Sequence, residues 1–208
     1  MQIKTLEVAG FHSALKAMRN PLDSWAKSDS STGRVGRKDM GLSDRLAQAG
    51  PEHAKHLRMI MVYADITAPR YWWTEMDTYR IGVEKVSCST MHTLMRRELT
   101  IDDFEHNGST ETLQKTVNII NGMMVMYRTV NDPETKKSIW YEIIRILPQS
   151  FLQTRTCMFS YQALRNIYRQ REGHKLNEWH VFRIWIELLP ESWMITGKLP
   201  EMLSDEME

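Results

Sequence analysis

Apolar positions along the chain recur at two spacings, one suited to strands and one to helices. Residues 3–8, IKTLEV, favour an extended backbone, and Gly10 leads from them into a segment where Phe11, Leu15 and Met18 sit at helical steps until Asn20-Pro21 stops it. This predicts a strand and then a helix. Residues 57–65, LRMIMVYAD, form an apolar, β-compatible run that reads as a buried strand, and the segment after Pro69 reads as helical. At 113–130, Leu113, Val117, Ile120, Met124 and Tyr127 repeat every three or four residues, the stripe of a long helix. Further helices are predicted over 134–147, 161–171 and 177–189, the last ended by Pro190. Ser43 offers an N-cap for a short helix closing at Gly50, and Pro51-Glu52 opens another turn. Residues 27–41, KSDSSTGRVGRKDMG, are rich in Ser, Gly and charge and read as a mobile surface loop. The tail from Pro200 is polar and acidic and is expected to fray. Together these elements describe one helix-rich α+β domain over 1–199.

Charge then narrows the function. With 27 Lys+Arg against 26 Asp+Glu the net charge is +1, which argues against a protein that grips duplex nucleic acid by neutralising many phosphates. A local basic groove stays open. No apolar run reaches the length of a signal peptide or a bilayer span, so neither membrane insertion nor export is expected. The two cysteines, Cys88 and Cys157, lie far apart, and no Cys/His cluster has zinc spacing; a cytoplasmic setting without a metal fits. The 15 Met and 7 Trp are unusual for a compact monomer and suit subunit contacts, a pocket for a planar ligand, or simply a Met-rich core.

Two clusters hold the candidate chemistry. Residues 66–92 interleave Arg70, Arg80 and Lys85 with Tyr71, Trp72, Trp73 and Tyr79, and add Glu75, Asp77 and Glu84. Guanidinium groups fork phosphates and flat rings stack on bases, so the pattern suits an anionic planar ligand such as a nucleotide or flavin. From composition alone, a helix with its rings in the core and its charges paired outside is the favoured reading. Residues 154–180 place Gln162, Arg165, Asn166 and Arg169 at helical steps, where a polar ligand could lie, with Arg171 at the helix end, where a cation also suits the helix dipole. His53 and His56 form an HxxH pair that reads as a surface pair, since the HExxH order of a zinc protease is absent. Ser87, Cys88 and Ser89 supply nucleophiles near His92 without the spacing of a triad.

At these clusters the sequence resembles the flavin-dependent thymidylate synthase (ThyX) family. The opening strand and helix, the EH at Glu52-His53 and the segment ILPQSFLQTRTCMFSYQALRNIYRQR follow that family's order. SYQALRNIYRQR, 160–171, aligns without gaps with the family's NARSLxxFLxLR helix, where Leu164 and Arg171 match, Ser160 stands for Asn and Gln162 for Arg. Strings such as ITAPRYWW, DTY, SCSTMH and EWH are also similar to a group of phage and prophage proteins of Gram-positive gut bacteria. The diagnostic RHR with its following serine is missing. The stretch here reads TEMDTYR, so Glu75, Met76 and Asp77, or Met76, Asp77 and Thr78, take the places of Arg, His and Arg; Ser87 or Ser89 stands near the family's serine.

The resemblance implies an α+β subunit of a homotetramer, binding FAD and dUMP at subunit boundaries. It implies a nucleotide-binding phage protein of the bacterial host's cytoplasm, capable of flavin-assisted modification of a pyrimidine nucleotide. On that reading Arg70 or Arg80 and Arg171 hold phosphate, Trp72 or Trp73 stacks on a ring, and Glu75 or Asp77 acts as acid or base. The alternative is a non-catalytic protein on the same scaffold that binds a host enzyme or sequesters a nucleotide signal against host defence. Carboxylates where the family carries cations would repel a phosphate at close range, and this motivates it. A homo-oligomer would also use the surplus Trp and Met, with Trp72, Trp73, Met123, Met124 and Met126 as candidate subunit contacts.

Overall fold

A computed structural model describes residues 1–108 and 110–199. Four strands, β1 (Gln2–Ala9), β2 (Met61–Pro69), β3 (Val83–Ser87) and β4 (Leu152–Ser160), form one antiparallel sheet in the order β1-β2-β4-β3. The helices are α1 (Phe11–Ala17), α2 (Arg37–Ala49), α3 (Arg70–Met76), α4 (Thr90–Thr93), α5 (Glu111–Thr129), α6 (Pro133–Ile146), α7 (Tyr161–Gln170), α8 (Asn177–Glu187) and α9 (Trp193–Thr196). The fold is therefore the mixed helix-and-sheet class that the pattern predicts. No helix among the described residues is long and apolar enough to cross a membrane.

The contacts gather into two compact units. The first contains residues 66–78 and 86–155, and its core lies under the α5–α6 hairpin: Leu94, Leu99, Phe104, Val117, Ile120, Met124, Ile143 and Leu147 are all buried. Asn121 on α5 ties down the chain before it, since its side chain bonds both the N–H and the carbonyl of Leu99 at 2.9 Å. Asp132 caps α6 by accepting from the Thr135 N–H, ahead of Pro133 in the first turn.

The second unit contains residues 3–65, 79–85 and 156–199 of the described chain. Its core combines α7, which buries seven of its ten residues, with an aromatic stack in which Phe182 lies 5.7 Å from Phe159, 5.8 Å from Trp179 and 5.1 Å from Trp185. Gly10, between β1 and α1, has φ +99°, and a Cβ there would sit 2.1 Å from the Met59 carbonyl oxygen. Only glycine satisfies both the left-handed backbone and that close approach. Gly10→Ala is expected to cost about 2 kcal/mol or more of unfolding free energy in a urea titration.

The structure corrects several boundaries. β2 starts four residues later than the predicted strand, because residues 55–58 form a 3-10 turn. β3 and β4 are strands that the apolar pattern does not announce. α2 begins at Arg37, inside the stretch that reads as a loop, and Ser43 lies buried in its middle instead of capping it. The acidic tail from Pro200 lies outside the described residues.

Candidate functional site

Within the second unit, the end of α1, the turns after it, α2 and residues 52–59 enclose a cavity of about 910 Å³. Its lining is cationic: Arg19, Lys27, Lys38, Arg45 and Lys55 against Asp23 and Glu52. A buried ion pair holds one wall. Asp39, fully buried on α2, takes the Arg19 guanidinium at 2.5–2.6 Å and the Ser28 and Ser30 hydroxyls at 2.5 Å. Burial pushes the Asp39 carboxyl up, but the hydrogen bonds from Ser28, Ser30 and Arg19 outweigh it and keep the group below the usual carboxylate range. Asp29 caps the start of α2 by accepting the N–H groups of Lys38 and Asp39 at 2.9 and 3.1 Å. With Arg19 neutralised by Asp39, Lys27, Lys38, Arg45 and Lys55 give the cavity a positive field suited to a phosphate-bearing ligand.

His56 completes this lining, and of the HxxH pair only His53 is on the surface. The His56 ring is 2% exposed, its Nε2 meets Ser43 Oγ at 2.7 Å, and its buried Nδ1 has no hydrogen-bond partner among the described residues. Burial first, then the nearby Arg165 charge, lowers its pKa from 6.5 to about 4, so the ring is neutral at physiological pH. When the Ser43 hydroxyl donates to Nε2, the ring proton sits on Nδ1 and makes it a donor. The unfolded chain protonates this ring near pH 6.5 and the folded chain only near 4. Its contribution is therefore complete above pH 6.5 and falls as the pH drops through that window, by up to about 3 kcal/mol. Urea titrations at pH 7, 6, 5 and 4 should show that slope, and His56→Gln should flatten it.

Arg171 follows the last turn of α7, and two aromatic side chains, Tyr79 and Trp179, fix it. Its Nε donates to the Tyr79 hydroxyl at 2.8 Å, and its guanidinium lies 4.3 Å from the centre of the buried Trp179 ring and 5.3 Å from that of Tyr79. His174 packs edge-on against the same indole at 6.0 Å. A flat cation in a set orientation is a group that can meet an anion in one geometry.

The first unit holds a second polar cluster. Arg155 on β4 pairs with Asp77 at 2.8 Å, donates from Nε to Gln153 Oε1 at 3.1 Å and lies 4.3 Å from the Trp73 ring centre. The Gln153 amide reaches the Cys88 carbonyl at 3.0 Å and Thr90 Oγ1 at 3.3 Å, so β4 positions the turn that carries Cys88 and Ser89. Asp77 therefore stands beside a compensating cation that the sequence pattern does not reveal.

No protein-family model matches the chain, and no curated protein does either. Solved structures do. ThyX from Helicobacter pylori, complexed with FAD and dUMP, aligns with a TM-score of 0.75 and 16% identity over 96% of this chain and 100% of that one. The fold is ThyX-like. The UMP/dUMP methylase PolB from Streptomyces cacaoi, bound with 5-Br dUMP, aligns with a TM-score of 0.61 and 13% identity over 92% of this chain and 94% of that one.

On this ThyX-like scaffold the predicted residues divide. Arg70 opens α3, half-buried, and Glu75 sits in its last turn, where its carbonyl accepts from Thr78. Ser87 ends β3 exposed, and Ser89 precedes α4, its carbonyl accepting from Thr93. Arg80 is exposed in the turn before β3. Trp72 and Trp73 are not ligand platforms: they are 0% and 1% exposed, packed edge to face at 4.8 Å, and Trp73 Nε1 donates to the Gln153 carbonyl. The same burial removes them, and Met124, from the candidate subunit contacts, while Met126 stays exposed. The α7 face is packed only in part: Gln162 and Arg165 are buried and Arg165 Nη1 donates to the Met194 carbonyl at 2.9 Å, whereas Asn166 and Arg169 are exposed. Cys88 is exposed and Cys157 buried. No group of three or more potential metal ligands exists among the described residues.

Proposed function

We propose that this chain binds a pyrimidine nucleotide together with FAD and, as a homo-oligomer of the tetrameric ThyX type, modifies the nucleotide. The cationic cavity carries this reading: about 910 Å³ of space, four cations besides the neutralised Arg19, and an orphan buried imidazole nitrogen suit a diphosphate-bearing group such as that of FAD. Lys38, Arg45 and Lys55 would hold that group, and FAD, when bound, supplies hydride chemistry. In the second unit Arg171, with Arg80, would hold the nucleotide phosphate; in the first unit Asp77 or Glu75 would move a proton, with Arg70, Ser87 and Ser89 as that unit's further candidate residues. The similarity to ThyX structures with FAD and dUMP supports this, as do the shared strings for a phage protein working in the cytoplasm of a bacterial host. The missing signature arginines favour a second reading, a non-catalytic ThyX-like phage protein that sequesters a nucleotide or binds a host enzyme.

Mass spectrometry of dUMP incubated with the protein, FAD, NADPH and methylenetetrahydrofolate separates the two. A nucleotide heavier by one methylene supports the enzyme. Tight dUMP binding with no mass change supports sequestration, and no binding of dUMP or FAD overturns the proposal.

A further inference from the structure

A second cavity in the same unit also borders α1. It measures about 470 Å³ and lies among α1, the turns over residues 25–35 and Pro190-Glu191. We infer that it is a site for a small anionic aromatic molecule, distinct from the nucleotide sites proposed above.

The walls set the ligand's body. Phe11 and Trp25 present aromatic surface, and Leu15, Val35 and Pro190 add aliphatic surface, the composition of a small-molecule pocket. Trp25 is 49% exposed, yet its indole is held in place by an Nε1 hydrogen bond to Asn20 Oδ1 at 2.8 Å. An exposed, oriented indole beside a cavity is surface that a flat ligand would cover.

The rim sets the charge. His12, Lys16 and Arg34 line the cavity, whereas the one carboxylate among its described lining residues, Glu191, already accepts the Trp193 indole N–H at 2.5 Å. The surplus is positive, so the flat body should carry an acidic group: a carboxylate, sulfonate or phosphate.

The cavity is built, because the chain around it is tied down at several points. Ser28 and Ser30 both bond Asp39, the Gly36 N–H donates to Ser30 Oγ at 2.9 Å, and Ser31 and Arg34 exchange two backbone hydrogen bonds at 3.0 Å around Gly33. Such cross-links leave an ordered space of a size that takes one drug-sized ligand. Arg19 lines both cavities and Lys16 also borders a third space beside Asn20 and Met59, whereas Arg34 and Val35 line only this one of the three. Variants at Arg34 and Val35 therefore separate this site from the other two.

The probe is 1-anilinonaphthalene-8-sulfonate, titrated into the folded protein and followed by its fluorescence. The site predicts saturable binding at one molecule per chain, weakened about tenfold by Arg34→Glu and lost on filling the space with Val35→Trp. The neutral analogue N-phenyl-1-naphthylamine should bind about tenfold more weakly than the sulfonate, because it lacks the anion. Arg34 is exposed, so its charge reversal decides the matter even if Val35→Trp fails to fold. Unsaturable binding, equal affinity for the neutral analogue, or affinity unchanged by the charge reversal overturns the inference. The dUMP-induced melting shift, recorded on the same variants, should stay at the wild-type value; if wild type shows no such shift, the nucleotide reading fails and this one stands.

Discussion

Asp39→Ala is expected to remove about 3–5 kcal/mol of unfolding free energy, the largest loss of any single substitution considered. The substitution leaves the Arg19 guanidinium, 5% exposed, buried without its counter-ion, and it also strips the acceptor from the Ser28 and Ser30 hydroxyls. One carboxylate thus closes the turns over 24–36 onto α2. Urea denaturation measures the loss, and Arg19→Met combined with Asp39→Ala should recover part of it, since no charge is then stranded. A loss below about 1 kcal/mol would mean that the pair is solvated in solution. Because Asp39 is held below the usual carboxylate range, its contribution is present above the unfolded carboxylate's pKa and is lost as pH falls through the folded one, adding to the acid sensitivity from His56.

Arg171→Ala is expected to abolish the dUMP-dependent melting shift. The unliganded protein should lose only about 1–2 kcal/mol, from the contacts with Tyr79 and Trp179. Arg171→Lys should not restore the shift, because an ammonium cannot lie flat on Trp179 while donating in plane to the Tyr79 hydroxyl. Tyr79→Phe keeps the stack and removes the hydrogen bond, so an intermediate shift is expected. Differential scanning fluorimetry with and without dUMP reads all three. A wild-type shift in Arg171→Ala would show that the nucleotide lies elsewhere.

Elements with strong local periodicity are legible in the sequence itself. Leu113 to Tyr127 on α5 and the whole of α7 from Tyr161 to Gln170 fall where the spacing puts them, because a helix advertises its buried face every three or four residues. β4 is not legible: LQTRTCMFS places Thr154 and Thr156 outward with Arg155 between them, so no clean alternation marks it. The start of α2 is displaced from the expected one because its cap, Asp29, lies several residues upstream of the helix, beyond the reach of local rules. Trp72 and Trp73 look like stacking platforms for the same reason that they are good core: composition does not say which way a ring faces.

The site is hidden in the sequence for a different reason. Arg155 and Asp77 are 78 residues apart, and the cavity cations at 19, 27, 38, 45 and 55 read along the chain as scattered surface charges. A net charge of +1 conceals them, because it averages a cationic cavity with acidic residues placed elsewhere.

A titration of FAD into the purified protein, followed by quenching of flavin fluorescence, tests the central claim most directly. Saturation is expected at one FAD per chain, with an affinity about tenfold lower in Lys38→Glu/Arg45→Glu at unchanged melting temperature. Flavin fluorescence that does not respond to the protein, or quenching indifferent to that charge reversal, would contradict it.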